Sequence, residues 1–354
     1  MGGFLVALCW IPVLVGLACA DETPKTGREQ QNLVGPVRSI LIERVSFSRQ
    51  NDAWVAGRRL PNYAARYTAN GHQTETLMYG DDGCLVEKRT SLCNEKGKEI
   101  EQASYKPDGS LAYKFVTHYD AQGRVTQEDL YGIDGKMHGK EIYTYNAEGH
   151  LTERVSYSVN PTFYNGKIVI KSDAAGRWIE AADYDFDGAP GMKQTRSYDA
   201  QGRVIDETDY LSPRDIEVKM IHRYNAKGQE VEELSYPHGA FLGSRSRYTY
   251  DKMGNRIRHE TWLYDIKGAL TGKWVGVWDS KGNQTDSLSY GPDGSVKRHE
   301  ISAYQFDAIG NWTKQTVKEY TVDGGKPLLA KMTVNYQTVT YYGGRAAHPA
   351  TPSR

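Results

Sequence analysis

The stretch Tyr119-Asp120-Ala121-Gln122-Gly123-Arg124-Val125 (YDAQGRV, 119–125) recurs letter for letter at 198–204. Seven identical residues 79 positions apart point to an internal repeat, and a repeat decides the fold before any single segment does. The wider template is Tyr, three residues, then Gly. It matches at Tyr67, Tyr79, Tyr105, Tyr119, Tyr131 and Tyr145, and again from Tyr184 to Tyr320, with degenerate copies at Cys93, Ser172, Trp278 and Phe306. Steps of 12 and 14 residues alternate along most of the array. Two turn types therefore take turns. The first reads YDAQG, YNAEG or YNAKG, and the second YGDDG, YKPDG, YGIDG or YGPDG; together they make a unit of about 26 residues.

Asp or Asn after the Tyr can bond the backbone that follows it, and Gly accepts a positive φ, so each template is a tight turn. Between turns lie segments of strand length with two-residue alternation. Leu151, Glu153, Val155 and Tyr157 read as one face, and Ile216, Val218, Met220 and Tyr224 as another. The expected fold is all-β: residues 36–342 form an antiparallel β-hairpin repeat meander of about twenty-two strands. A sheet that wide should coil into a superhelical strip or partial shell. VRSILIERVSF at 37–47 reads as the first strand, and the last strands fall within 328–342. Both end strands read as open edges, natural docking sites. NPTF at 160–163 and LSPRD at 211–215 interrupt the pattern and imply longer loops.

YDAQGRV, together with YDKMGNR at 250–256 and FDAIGNW at 306–312, resembles the YD repeats of the RHS family, from about residue 67 to 324. The resemblance implies hairpins coiled into a β-strip, a cocoon around a toxin in the large members, and carbohydrate binding. This chain is short, and no effector domain is expected after residue 342.

The 354 residues hold 44 basic and 44 acidic side chains, so no nucleic-acid footprint is present. Phe4–Ala18 is an apolar run followed by Ala18-Cys19-Ala20. It reads as a signal peptide over 1–20 and an exported chain, periplasmic or secreted, with no transmembrane span after cleavage. Lipid anchoring at Cys19 is the less favoured alternative. Residues 21–35 read as a flexible lead and 343–354 as a disordered tail. Cys84 and Cys93 stand at opposite ends of one strand, roughly 30 Å apart. A disulfide needs about 7 Å between Cα atoms, so both thiols should be free.

Four residues after the first-type Gly stand Glu75, Glu101, Glu153, Glu180, Asp206, Glu232 and Asp286. This acidic column reads as sharing the Tyr face, with copies roughly 9–10 Å apart. Tyr hydroxyls and residues such as Arg89 and Arg196 are its expected partners. The plainer reading is a structural ladder. The sharper one is a wet groove in which Glu153, Glu180, Asp206 and Glu232 accept bonds from sugar hydroxyls. Trp274, Trp278 and Trp312 cluster in the last third, as core filling or as a binding platform. Asp183, Asp185 and Asp187 resemble the start of a calcium loop, but Gln194 stands where that loop needs Glu. No nucleophile, phosphate-loop or dinucleotide motif appears, and evenly spaced acids distinguish no catalytic pair. The expectation is a non-enzymatic protein without cofactor that binds a polysaccharide or an envelope protein. A scaffold assembling through its sheet edges is the alternative, and a glycan-acting enzyme the more remote one. A membrane barrel is set aside because the face opposite Tyr carries Lys and Arg.

Overall fold

The computed structural model of the chain describes residues 25–159, 165–212, 215–323, 326–344 and 346–347. Residues 1–20, read above as a signal peptide and including Cys19, lie outside the described residues, as do NPTF at 160–163 and most of the tail. Within them the repeat reading becomes a chain of antiparallel strands from β1 (Val37–Gln50) to β22 (Lys326–Tyr341), each bonded to the next. The heptapeptide explains itself in three dimensions. In the first copy the Asp120 N–H donates to Arg124 O, and Gly123 N–H donates to Asp120 O at φ 80°. Asp120 accepts the Arg124 N–H on one oxygen and the Arg124 guanidinium on the other. That guanidinium then lies 4.7 Å from the ring centre of Tyr145, the Tyr of the next first-type turn. The second copy repeats this with Asp199, Gly202, Arg203 and Tyr224. Each such Tyr donates its hydroxyl to a carbonyl 20 residues earlier: Tyr119 to Glu99, Tyr145 to Val125, Tyr198 to Trp178, Tyr224 to Val204. One motif thus closes its own turn and pins the adjacent hairpin.

The sheet closes, which corrects the expected open strip. β22 pairs antiparallel with β1, from Val37↔Tyr341 to Phe47↔Met332, so neither end strand is left as an edge. These two strands are longer than the repeat strands and carry the aliphatic residues that build the seam. Val37, Ile40, Ala65, Tyr67, Val339 and Tyr341 pack there as one buried cluster. The Tyr hydroxyl pattern runs on across the seam, with Tyr342 donating to Tyr67 O.

Parts of the lead and of the tail make contacts with the sheet. Gly27–Gln30 forms α1, closed by a Thr26–Glu29 capping box. Gln31 bonds Tyr63 and Tyr67, and the side chain of Asn311 holds both Val34 N–H and Val34 C=O. After Tyr341 the chain turns back, and β23 (Ala346–Ala347) pairs with Val339 and Thr340.

Many returning strands enter through a one-residue bulge just after the turn, as between Thr144/Tyr145 and Leu151/Glu153. The bulge turns the first residue of that strand to the opposite face from the one that simple alternation gives it. First-type Tyr residues therefore share a face with Leu151, Trp178 and Tyr143, called here the aromatic face. The acidic column and second-type Tyr residues such as Tyr131 lie on the other, the ladder face.

The turn carboxylates set an acid limit. Asp173 and Asp199 are held below the usual carboxylate range, chiefly by side-chain bonds from Arg177 and Arg203 and then by backbone N–H groups; Asp120 is lowered chiefly by the Arg124 N–H. A folded-state value below the unfolded one contributes stability that is present above about pH 4 and is lost as pH falls further, through the lower folded-state value. Melting temperature should thus hold from neutral pH to about 5 and fall below about 4. Asn94, Asn146 and Asn225 make the same backbone bond without titrating. Asp173→Asn with Asp199→Asn should therefore flatten the fall, measured by circular dichroism at stepped pH. Equal slopes in wild type and variant would refute the assignment.

Candidate functional site

The ladder face carries the acidic column, and each carboxylate meets a Lys, Arg or His side chain. Glu75 pairs with Lys88 at 3.0 Å, Glu101 with Lys114 at 3.5 Å, and Glu153 with Lys167 at 3.8 Å. Glu180 pairs with Lys171 at 2.6 Å, Asp206 with Lys219 at 2.7 Å, and Asp286 with His299 at 3.1 Å. Glu232, 7% exposed, takes Arg223, Arg245 and Arg247. The expected partners are wrong. Arg89 and Arg196 bond Glu87 and Glu207 on the aromatic face.

The Trp candidates lie on that aromatic face. Trp274 and Trp278 come from β18 (Leu270–Trp278) and meet edge to face, 6.1 Å between centroids. Gly276 between them leaves room, since a Cβ there would stand 2.5 Å from both rings. Trp274 Nε1–H donates to Ser287 Oγ at 3.0 Å and backs Trp278. Trp312 opens β21 (Trp312–Asp323), opposite Phe306. Trp278, Tyr304, Phe306 and Trp312 then line one cleft of about 560 Å³ at the first-type rim. Its polar lining is Gln31, Asn32, Asn283, Gln284, Gln315 and Lys281. Lys281 Nζ sits 3.6 Å from the centre of the Phe306 ring. Tyr304 donates to Gln284 O and accepts from Gln315 Nε2 at 2.9 Å; burial pushes its hydroxyl up. Among the described residues no carboxylate lines the cleft.

The strands therefore bring Trp274, Trp278 and Trp312 together and leave Glu153, Glu180, Asp206 and Glu232 on the other face. Sequence reading missed the contribution of Gln31, Asn32 and Val34, which nothing in the polar lead distinguishes. The calcium-loop reading does not survive. Asp185 opens a turn and accepts the Ala189 N–H, Asp187 is exposed at its tip, and Asp183 points from strand β11 (Trp178–Tyr184) with Oδ1 unpartnered. Among the described residues these three carboxylates form no ligand cluster. Asn311, 2% exposed, bonds Val34 and Tyr341, and Asn283 bonds Asp279. Cys84 and Cys93 are free thiols.

No family model matches this chain, and no curated protein does. Among solved structures it is similar to TcdB2-TccC3-TEV, with 14% identity, 86% of this chain covered and a TM-score of 0.32. A Photorhabdus luminescens Tc holotoxin pore gives 14%, 84% and 0.30. The chain spans 19% and 18% of those toxin chains. A porin-like protein from Bacteroides uniformis gives 13% identity and a TM-score of 0.30, covering 87% of this chain and 99% of that one.

Proposed function

We propose that the chain is an exported, non-enzymatic repeat protein that binds a carbohydrate polymer in the rim cleft. The observation that carries this reading is the pairing of Trp278 and Trp312 in a cleft edged by side-chain amides. Flat indole rings suit the apolar faces of sugar rings, and amides both donate to and accept from hydroxyls. A cleft lined by amides and a single lysine suits a neutral glycan. Glycoside hydrolysis would need a carboxylic acid pair at the bond, and the lining supplies aromatics and amides instead. The apolar run Phe4–Ala18, read as part of a signal peptide, supports export. Ion pairs stand along both faces of the strands, Lys219–Asp206 on one and Arg196–Glu207 on the other, which suits a ring with water on both sides. With both seam strands paired to each other, assembly through sheet edges loses its template.

The test is tryptophan fluorescence of the full chain against cellohexaose, xylohexaose and chitohexaose. At least one should give a saturable change. Trp312→Ala should weaken it about tenfold, a loss of about 1.4 kcal/mol. Trp312→Phe should keep part of it. A folded protein indifferent to every glycan would remove the proposal.

A further inference from the structure

On the aromatic face one repeat differs from the others. His222 in β14 (Ile216–Tyr224) stands directly opposite Glu233 in β15 (Glu230–Pro237). Plain alternation would turn Glu230 away from both. The bulge between Arg223/Tyr224 and Glu232/Glu230 turns it back, so Glu230 joins the same face. His222 Nδ1 lies 2.6 Å from Glu230 Oε1, and one ligand atom from each of the three residues falls within 4.8 Å of the other two. All three side chains are half-buried. The same three positions in neighbouring repeats hold Tyr143, Leu151 and Arg154, or Arg196, Val204 and Glu207. The first set has a cation where this repeat has Glu233. In the second set the cation Arg196 answers the single acid, Glu207. Here two carboxylates face one imidazole.

We propose that His222, Glu230 and Glu233 form a binding site for a divalent transition-metal ion of the zinc type. One imidazole nitrogen with two carboxylate oxygens is a ligand set that zinc and cobalt accept, with water completing the coordination. Calcium, which collects six or more oxygens, fits it poorly. Tyr248, on the next strand β16 (Ser244–Tyr250), shares this face and lies near the Glu233 carboxylate. Arg256 lies over the Tyr248 ring at 4.3 Å, and its charge offsets only part of the acidic excess. The site is independent of the sugar reading.

The experiment titrates the untagged full chain with cobalt(II), following its visible d–d absorption, and then displaces cobalt with zinc. Wild type should show saturable bands that zinc abolishes. Glu233→Gln, isosteric but uncharged, should weaken binding by at least the roughly 10–100-fold that loss of an outer-sphere partner costs. His222→Asn should do the same, while His299→Asn, on the ladder face, should leave the bands intact. Circular dichroism checks that each variant is folded. If His222→Asn unfolds, Glu233→Gln decides. No cobalt bands in wild type, or bands unchanged in Glu233→Gln, would overturn the site.

Discussion

Val339→Asp is expected to open the ring at its seam and to cost more than about 3 kcal/mol. Val339 is fully buried, opposite Ile40 on β1, and packs with Val37, Ala65, Tyr67 and Tyr341. A carboxylate placed there meets aliphatic and aromatic surface. The native polar groups nearby are already committed: Asn311 to Val34 and Tyr341, Gln337 to Trp312 O. The damage should stay local, because each repeat strand is held mainly by its two neighbours and such arrays behave as nearest-neighbour chains. Hydrogen exchange is the measurement. Amides of 37–47 and 332–341 should lose protection, while those of β7 (Val125–Tyr131) and β8 (Met137–Tyr145) keep theirs. Uniform loss across the ring, or none at the seam, would contradict a locally held closure.

The repeat strands were legible because their determinants are local. Tyr-x-x-x-Gly fixes the turns, and the turn interval fixes strand length. Closure was not legible. It joins Ser39 to Thr340, 301 residues apart, and two strands that bear no turn motif. Their alternating aliphatics look the same whether they meet each other or solvent. The face assignment failed for a different reason. Leu151 and Glu153 have the same parity, and unbroken alternation puts them together. The bulge separates them: Leu151 packs on Ile168, Ile170 and Trp178, whereas Glu153 meets Lys167. The same bulge hid Glu230 behind the wrong face and concealed its meeting with His222. The Trp cluster was readable from composition along the chain, since Trp274 and Trp278 share a strand at even spacing. Gln31, Asn32 and Val34, which complete the cleft, carry no such signal.

Glu232→Ala is expected to lower stability by about 2 kcal/mol while leaving oligosaccharide binding at the cleft unchanged. Its carboxylate draws in Arg223 at 2.6 Å, Arg245 at 2.5 Å and Arg247 at 3.3 Å. Burial works to raise its pKa, but the bonds from Arg245 and Arg247 and the charges of Arg245 and Arg223 prevail and hold it below the usual range. Alanine would leave three guanidiniums crowded around a gap. The arginine side chains are between a third and three-fifths exposed, so water screens much of their repulsion, and the cost stays below that of a fully buried pair broken on one side. Glu232→Gln keeps the shape and should lose less. The sign of the pH dependence follows from the lowered carboxyl: its contribution is present above about pH 4.3 and fades as acid protonates it. The gap in melting temperature between wild type and Glu232→Gln should therefore close below about pH 4. Unchanged melting in the alanine variant would strip the column of its structural role. Weaker oligosaccharide binding with normal melting would instead move the sugar site to the ladder face, because Glu232 and Trp312 lie on opposite sides of the same sheet.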